Sequence, residues 1–165
     1  MVYIEKALSM GAQSAVRFAL SDIAFDPRVA LKCMFGCGDF GKAHTCPYQR
    51  SPLGMEEYRR ILSVYKWGVI IGCGDKQTSQ KISYEIEREC YLDGYYFAFS
   101  LSDCSLCGQC AKAVDNECRF PKKARPAFHS VGIDVFKTVR GFGLPIEVLR
   151  NESDKQHWYS AVFVE

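Results

Sequence analysis

Trp67-Gly68-Val69-Ile70-Ile71-Gly72 is a short apolar run closed by glycine, and it reads as a buried strand. Directly after it, residues 77–92 carry Ile82, Ile86 and Cys90 at i, i+4 and i+8, the apolar stripe of a helix. Residues 95–101 then read as a second strand. Strand, helix and strand at this length form a βαβ unit, so the two strands are expected to run parallel with a right-handed crossover. The class that follows is α/β: a single domain over residues 1–165, with a mixed sheet containing the βαβ unit and cysteine-rich cluster-binding loops.

Outward from this unit the signals are shorter. Residues 3–11 read as a helix closing on Gly11, and Val16, Phe18 and Leu20 alternate with Arg17 and Ala19 as in a strand. Asp26-Pro27 breaks the chain, and Val29-Ala30-Leu31 delivers it to Cys33. Residues 33–54, rich in Gly, Cys and Pro, are expected to be a loop ordered by what it binds. Ser51-Pro52 is expected to open a helix whose apolar face carries Met55, Tyr58, Ile61, Leu62 and Tyr65, with Glu56 and Glu57 at its positive end. Residues 131–142 read as a helix and 158–164 as a closing strand. There is no repeat or low-complexity tract.

The 165 residues are enough for one ordinary core, and 48% hydrophobic with 24% charged residues is the composition of a globular protein. A net charge of +2 argues against nucleic acid as a general partner. No apolar run has membrane-spanning length and the first residues lack a signal-peptide core, so the expected location is the cytoplasm, without membrane attachment. In a reducing compartment nine cysteines point to metal or redox chemistry rather than a disulfide framework.

The second strand leads straight into Cys104-Ser105-Leu106-Cys107-Gly108-Gln109-Cys110, followed by Cys118 and Pro121. Sites in α/β sheets gather at the carboxyl ends of strands. Three cysteines spaced by three, with a fourth beyond, suit a cubic iron–sulfur cluster, because each thiolate can reach a different iron corner. Zinc also takes four thiolates, but its usual pattern parts two CxxC pairs by a longer span. Cys33, Cys37 and Cys46, the last followed by Pro47, form a second group. Three ligands leave one position of a second cubane for His44, Cys73, Cys90, water, a small ligand or a partner's side chain. Cys118 or Cys46 could also exchange between clusters, and one cluster shared by both segments is the simpler arrangement.

Other features carry less. Gly36-Cys37-Gly38-Asp39-Phe40-Gly41 matches a dinucleotide fingerprint in letters only, since no strand feeds it and Cys46-Pro47 stands where its helix would run. Cys90 shares a face with Ile82 and Ile86 and reads as core; Cys73 reads the same way at the end of its strand. Arg119, Lys122, Lys123 and Arg125 follow Cys118 as a basic run that could stabilise a negative cluster or dock an acidic redox partner. His129 is an acid/base candidate without a visible partner.

Leu31-Lys32-Cys33, Cys37, Phe40-Gly41 and Cys46-Pro47-Tyr48 resemble the first motif of the predicted metal-binding proteins known as domain of unknown function 2284. Glu87-Arg88-Glu89 with Asp93-Gly94-Tyr95-Tyr96-Phe97-Ala98 resembles its middle. The Cys104–Cys110 segment, Cys118 through Pro126, and Gly132-Ile133-Asp134-Val135-Phe136 resemble its third motif. The resemblance implies metal bound through the seven cysteines of the two groups, an anaerobic lean, and no settled activity. Three departures stand out: CxxxC replaces a pair one residue wider, glycines are missing before Cys104, and Ala127-Phe128-His129 stands in place of Ser-Met-Glu.

The reading is one or two [4Fe-4S] clusters, on Cys104, Cys107, Cys110 and Cys118 and on Cys33, Cys37 and Cys46, passing electrons to a redox partner. The alternatives are an enzyme using the open iron of the three-cysteine cluster, where a small-molecule ligand could bind, as a Lewis acid or sulfur-handling centre, and a zinc-stabilised interaction module.

Overall fold

The computed structural model describes residues 1–47, 53–113, 115–151 and 153–165. Its sheet has four strands, β1 (Ser14–Ala19), β2 (Trp67–Cys73), β3 (Phe99–Leu101) and β4 (Trp158–Phe163), in the order β1-β2-β4-β3. The helices are α1 (Val2–Ser9), α2 (Val29–Gly36), α3 (Met55–Leu62), α4 (Lys76–Leu92) and α5 (Val135–Gly141).

The fold is α/β as expected, and β2 and β3 do run parallel, because both pair antiparallel with β4. They are not neighbours. β4 lies between them, so each hydrogen-bonded pair in the sheet is antiparallel and the βαβ unit is split rather than mixed into the ladder. Nothing within the βαβ unit announces that insertion, since the inserted strand comes from residues far along the chain.

Alternation along β2 supplies two cores. Val69, Ile71 and Cys73 face α1 and α4 together with Val162, Val164, Ile82, Ile86 and Cys90. Ile70 faces the other side with Phe18, Ala161 and Phe163, covered by Leu62 of α3, Val139 of α5, and Phe128, Val131 and Ile133. Burial on both faces is why the central strands read as unbroken apolar runs. Glycine serves a purpose at Gly68, where a Cβ would collide with the Val162 carbonyl and the Phe18 ring.

The element boundaries differ where turn chemistry intervenes. The second strand of the unit begins at Phe99, because α4 ends in a turn with Gly94 at φ +97° and the Tyr95 N–H donates back to the Cys90 carbonyl. The helix expected over 131–142 is divided by Gly132 at φ +85° into a 3₁₀ turn, His129–Val131, and α5, capped by the Asp134 side chain. Ser51-Pro52, expected to open a helix, lies outside the described residues; within them α3 starts at Met55. Among the described residues no helix is long and apolar enough to cross a membrane.

Candidate metal centre

Cys33 is not in a loop. It sits on α2, only 7% exposed, and Cys37 caps that helix one turn later. A CxxxC spacing is the i, i+4 spacing of a helix, which stacks the two positions on one face. The same helix feeds the glycine-rich segment, so the dinucleotide reading fails in the structure as it does in the sequence. Cys37 is exposed and Cys46 half-buried, its thiol donating to the Asp39 carbonyl at 3.7 Å. Burial pushes the Cys33 thiol up, and thiolates at Cys37 and Cys46 push it further, as does the Asp103 carboxylate. The first three cysteines are therefore within electrostatic reach of one another.

Asp103 immediately precedes Cys104, so its effect on Cys33 puts the start of the second cysteine segment within electrostatic range of the first. The segment 24–26 ahead of α2 is tied to the segment 132–138: the Asp26 N–H donates to the Gly132 carbonyl at 2.9 Å, and the Asp134 N–H to that of Ala24 at 2.8 Å. Burial raises the Asp103 carboxyl, opposed by His129 and Lys76. His129, which had no visible partner in the sequence, thus faces an acid from a distant segment, as the sequence alone could not disclose.

Cys104, Cys107, Cys110 and Cys118 are all half-buried. The segment leaves the sheet with the Ser102 N–H donating to the Pro126 carbonyl at 2.8 Å. At Ser105 both the backbone N–H and the hydroxyl donate to Gln80 Oε1 on α4, at 2.7 and 3.1 Å. Gln80 was not singled out in the sequence; a polar residue on a helix carries no signal there. Farther along α4, Glu87 accepts from the Ser100 N–H and hydroxyl at 2.7 and 2.6 Å and forms a two-armed pair with Arg125. One member of the expected basic run is thus committed to holding the chain after Cys118, while Arg119, Lys122 and Lys123 remain exposed.

Cys73 and Cys90 are 2% and 0% exposed in the core between α4 and the sheet, and burial pushes both thiols up to about 11. They belong to the packing. Among the described residues, no three His, Cys, Asp or Glu side chains are gathered into a group that could hold a metal ion. The donor chemistry nevertheless suits one. His44 Nε2, between Cys37 and Cys46, and Gln80 Nε2, beside Ser105, are buried without a hydrogen-bond partner among the described residues. A buried polar atom left unpaired costs about 1–3 kcal/mol, so such atoms mark places where a water, another acceptor or, for the imidazole, a metal would complete the site.

The family model described as "Predicted metal-binding protein (DUF2284)" matches residues 17–164. The chain belongs to this family. No curated protein and no solved structure matches it. DUF2284 proteins are predicted to bind metal, and both cysteine groups lie inside the matched region.

Proposed function

We propose that the protein binds [4Fe-4S] clusters and passes electrons to a partner in the cytoplasm. Cys104, Cys107, Cys110 and Cys118 would hold one cluster, and Cys33, Cys37 and Cys46 a second. The observation that supports this reading is the thiol-rich chemistry of the two segments: four half-buried cysteines follow the strand β3, and Cys33, Cys37 and Cys46 lie within electrostatic reach of one another. Two adjacent centres make a path for electrons, and a cluster supplies the reversible one-electron chemistry that this path needs. Cys37 lies at the surface, where a partner can approach, and the exposed Arg119, Lys122 and Lys123 beside Cys118 suit an acidic one.

A second reading has one observation in its favour. A cavity of about 280 Å³ is lined by Asp103, His129, Lys155, His157 and Trp158 among others. Asp103 is the residue before Cys104, so a small molecule held there would sit near the start of the second cysteine segment, with His129 placed to hold or move a proton.

The test is metal and acid-labile sulfide content of protein purified without oxygen, with EPR of the reduced sample. Two cubanes require about eight irons and eight sulfides per chain, and one requires about four. Zinc without sulfide would sink the redox reading in favour of a zinc-stabilised module. Spectral changes when small ligands are added to the loaded protein would favour the enzyme.

A further inference from the structure

Gln80 is 3% exposed, on the second turn of α4. Its neighbour Ser79 locks this part of the helix to the sheet, the hydroxyl donating to Ser160 Oγ at 2.9 Å. The orientation of the Gln80 amide is decided by chemistry. Ser105 N–H can only donate, so the atom facing it at 2.7 Å must be the oxygen. That leaves Nε2, with two N–H donors, beside the Cys104–Cys107 segment, buried and without an acceptor among the described residues. The acceptors left to it are a bound water and a thiolate sulfur of Cys104 or Cys107, and the thiolate is the one that metal loading creates at this place. The positive end of α4 points the same way, with Lys76 close enough to act on Asp103.

We infer that Gln80 is a positioning residue of the metal centre: its Oε1 holds the Ser105 backbone and its Nε2 donates to a sulfur of the centre on Cys104 and Cys107. The inference rests on the ligand reading above but not on the identity of the metal. A donor to sulfur stabilises the more negative, reduced state, so its loss lowers the reduction potential. The sequence position is otherwise unremarked, and the contact adds a control on potential that the seven cysteines do not contain.

The experiment compares the full chain with Gln80→Glu and Gln80→Leu, purified without oxygen, by metal and sulfide analysis and by EPR-monitored redox titration. Gln80→Glu keeps an oxygen for Ser105 but adds a charge that itself lowers the potential, so it tests whether loop anchoring alone retains iron, while the neutral Gln80→Leu is the variant in which the potential shift is read. The expected result in Gln80→Leu is retained iron with the reduced-to-oxidised ratio at fixed potential lowered about tenfold, ~59 mV for a one-electron centre. Full iron content with an unchanged potential in Gln80→Leu would overturn the inference while leaving the cluster reading intact. Where the protein carries zinc and no sulfide, or where Gln80→Leu loses iron, the wild-type chain is loaded with an NMR-active cadmium isotope. Scalar coupling between cadmium and the Gln80 side-chain amide protons then supports the contact, and its absence overturns it.

Discussion

At the scale of single residues, the contact between Glu87 and Arg125 has the clearest consequence. Both side chains are nearly withdrawn from water, 14% and 13% exposed. Removing one partner of such a pair leaves a charge without compensation. Arg125→Ala is expected to cost about 3 kcal/mol in urea denaturation, with Glu87→Gln/Arg125→Met recovering part of it. The two core thiols make a second prediction. Cys73 and Cys90 ionise at about 11 in the fold against 9.0 for an ordinary thiol. Between these values the unfolded chain loses protons that the folded chain keeps. Stability from this source is therefore complete below pH 9 and is lost as the pH rises towards 11, by about 2–3 kcal/mol per thiol. Denaturation of Cys90→Ala at pH 8 and pH 10.5 should show a shallower loss than the wild type; an equal loss would mean that Cys90 does not titrate in this range.

At the scale of elements, α4 explains what was legible and what was not. Its apolar stripe, Ile82, Ile86 and Cys90, stands out at helical spacing, and the structure buries all three against the sheet. The stripe beside it, Gln80, Tyr84 and Glu87 at i, i+4 and i+7, is polar and aromatic and carries no pattern distinct from a solvated face. Yet Gln80 holds Ser105, Tyr84 underlies the Arg125 guanidinium at 5.4 Å from the ring, and Glu87 holds Ser100. A polar contact is specified by both partners, and one of them is always elsewhere in the chain. The cysteine groups were readable because spacing alone shows that a segment can wrap one centre; that Asp103 acts on Cys33 from a distant segment was not. The apolar run of β2 was equally plain, but not its partner, β4. Close approach of these two strands depends on Gly68. Gly68→Ala is expected to destabilise the fold by at least about 2 kcal/mol, read from the denaturation midpoint, because the Val162 backbone and the Phe18 ring must both give way.

At the scale of the whole molecule, the two cores and the cysteine segments are largely separate investments of sequence. Of the nine cysteines, only Cys33, Cys73 and Cys90 are buried, and the two cores close over the sheet without help from the other six. Removing the metal with a chelator is therefore expected to leave the far-UV circular dichroism nearly unchanged, while limited proteolysis cuts within residues 37–47 and 104–123. Collapse of the dichroism on chelation would show instead that metal binding and folding are one event, as in zinc fingers.

The position of β4 has a consequence in time. It is the strand that touches both β2 and β3, and it follows all seven candidate ligands in the chain. During synthesis the two cysteine segments emerge from the ribosome before the strand that joins the halves of the sheet. Until it does, β3 has no neighbour in the ladder, and the thiols are presented on a platform that is not yet closed. Metal is then expected to be delivered late, once β4 has joined the sheet, and the newborn chain's thiols are expected to stay reduced through that interval.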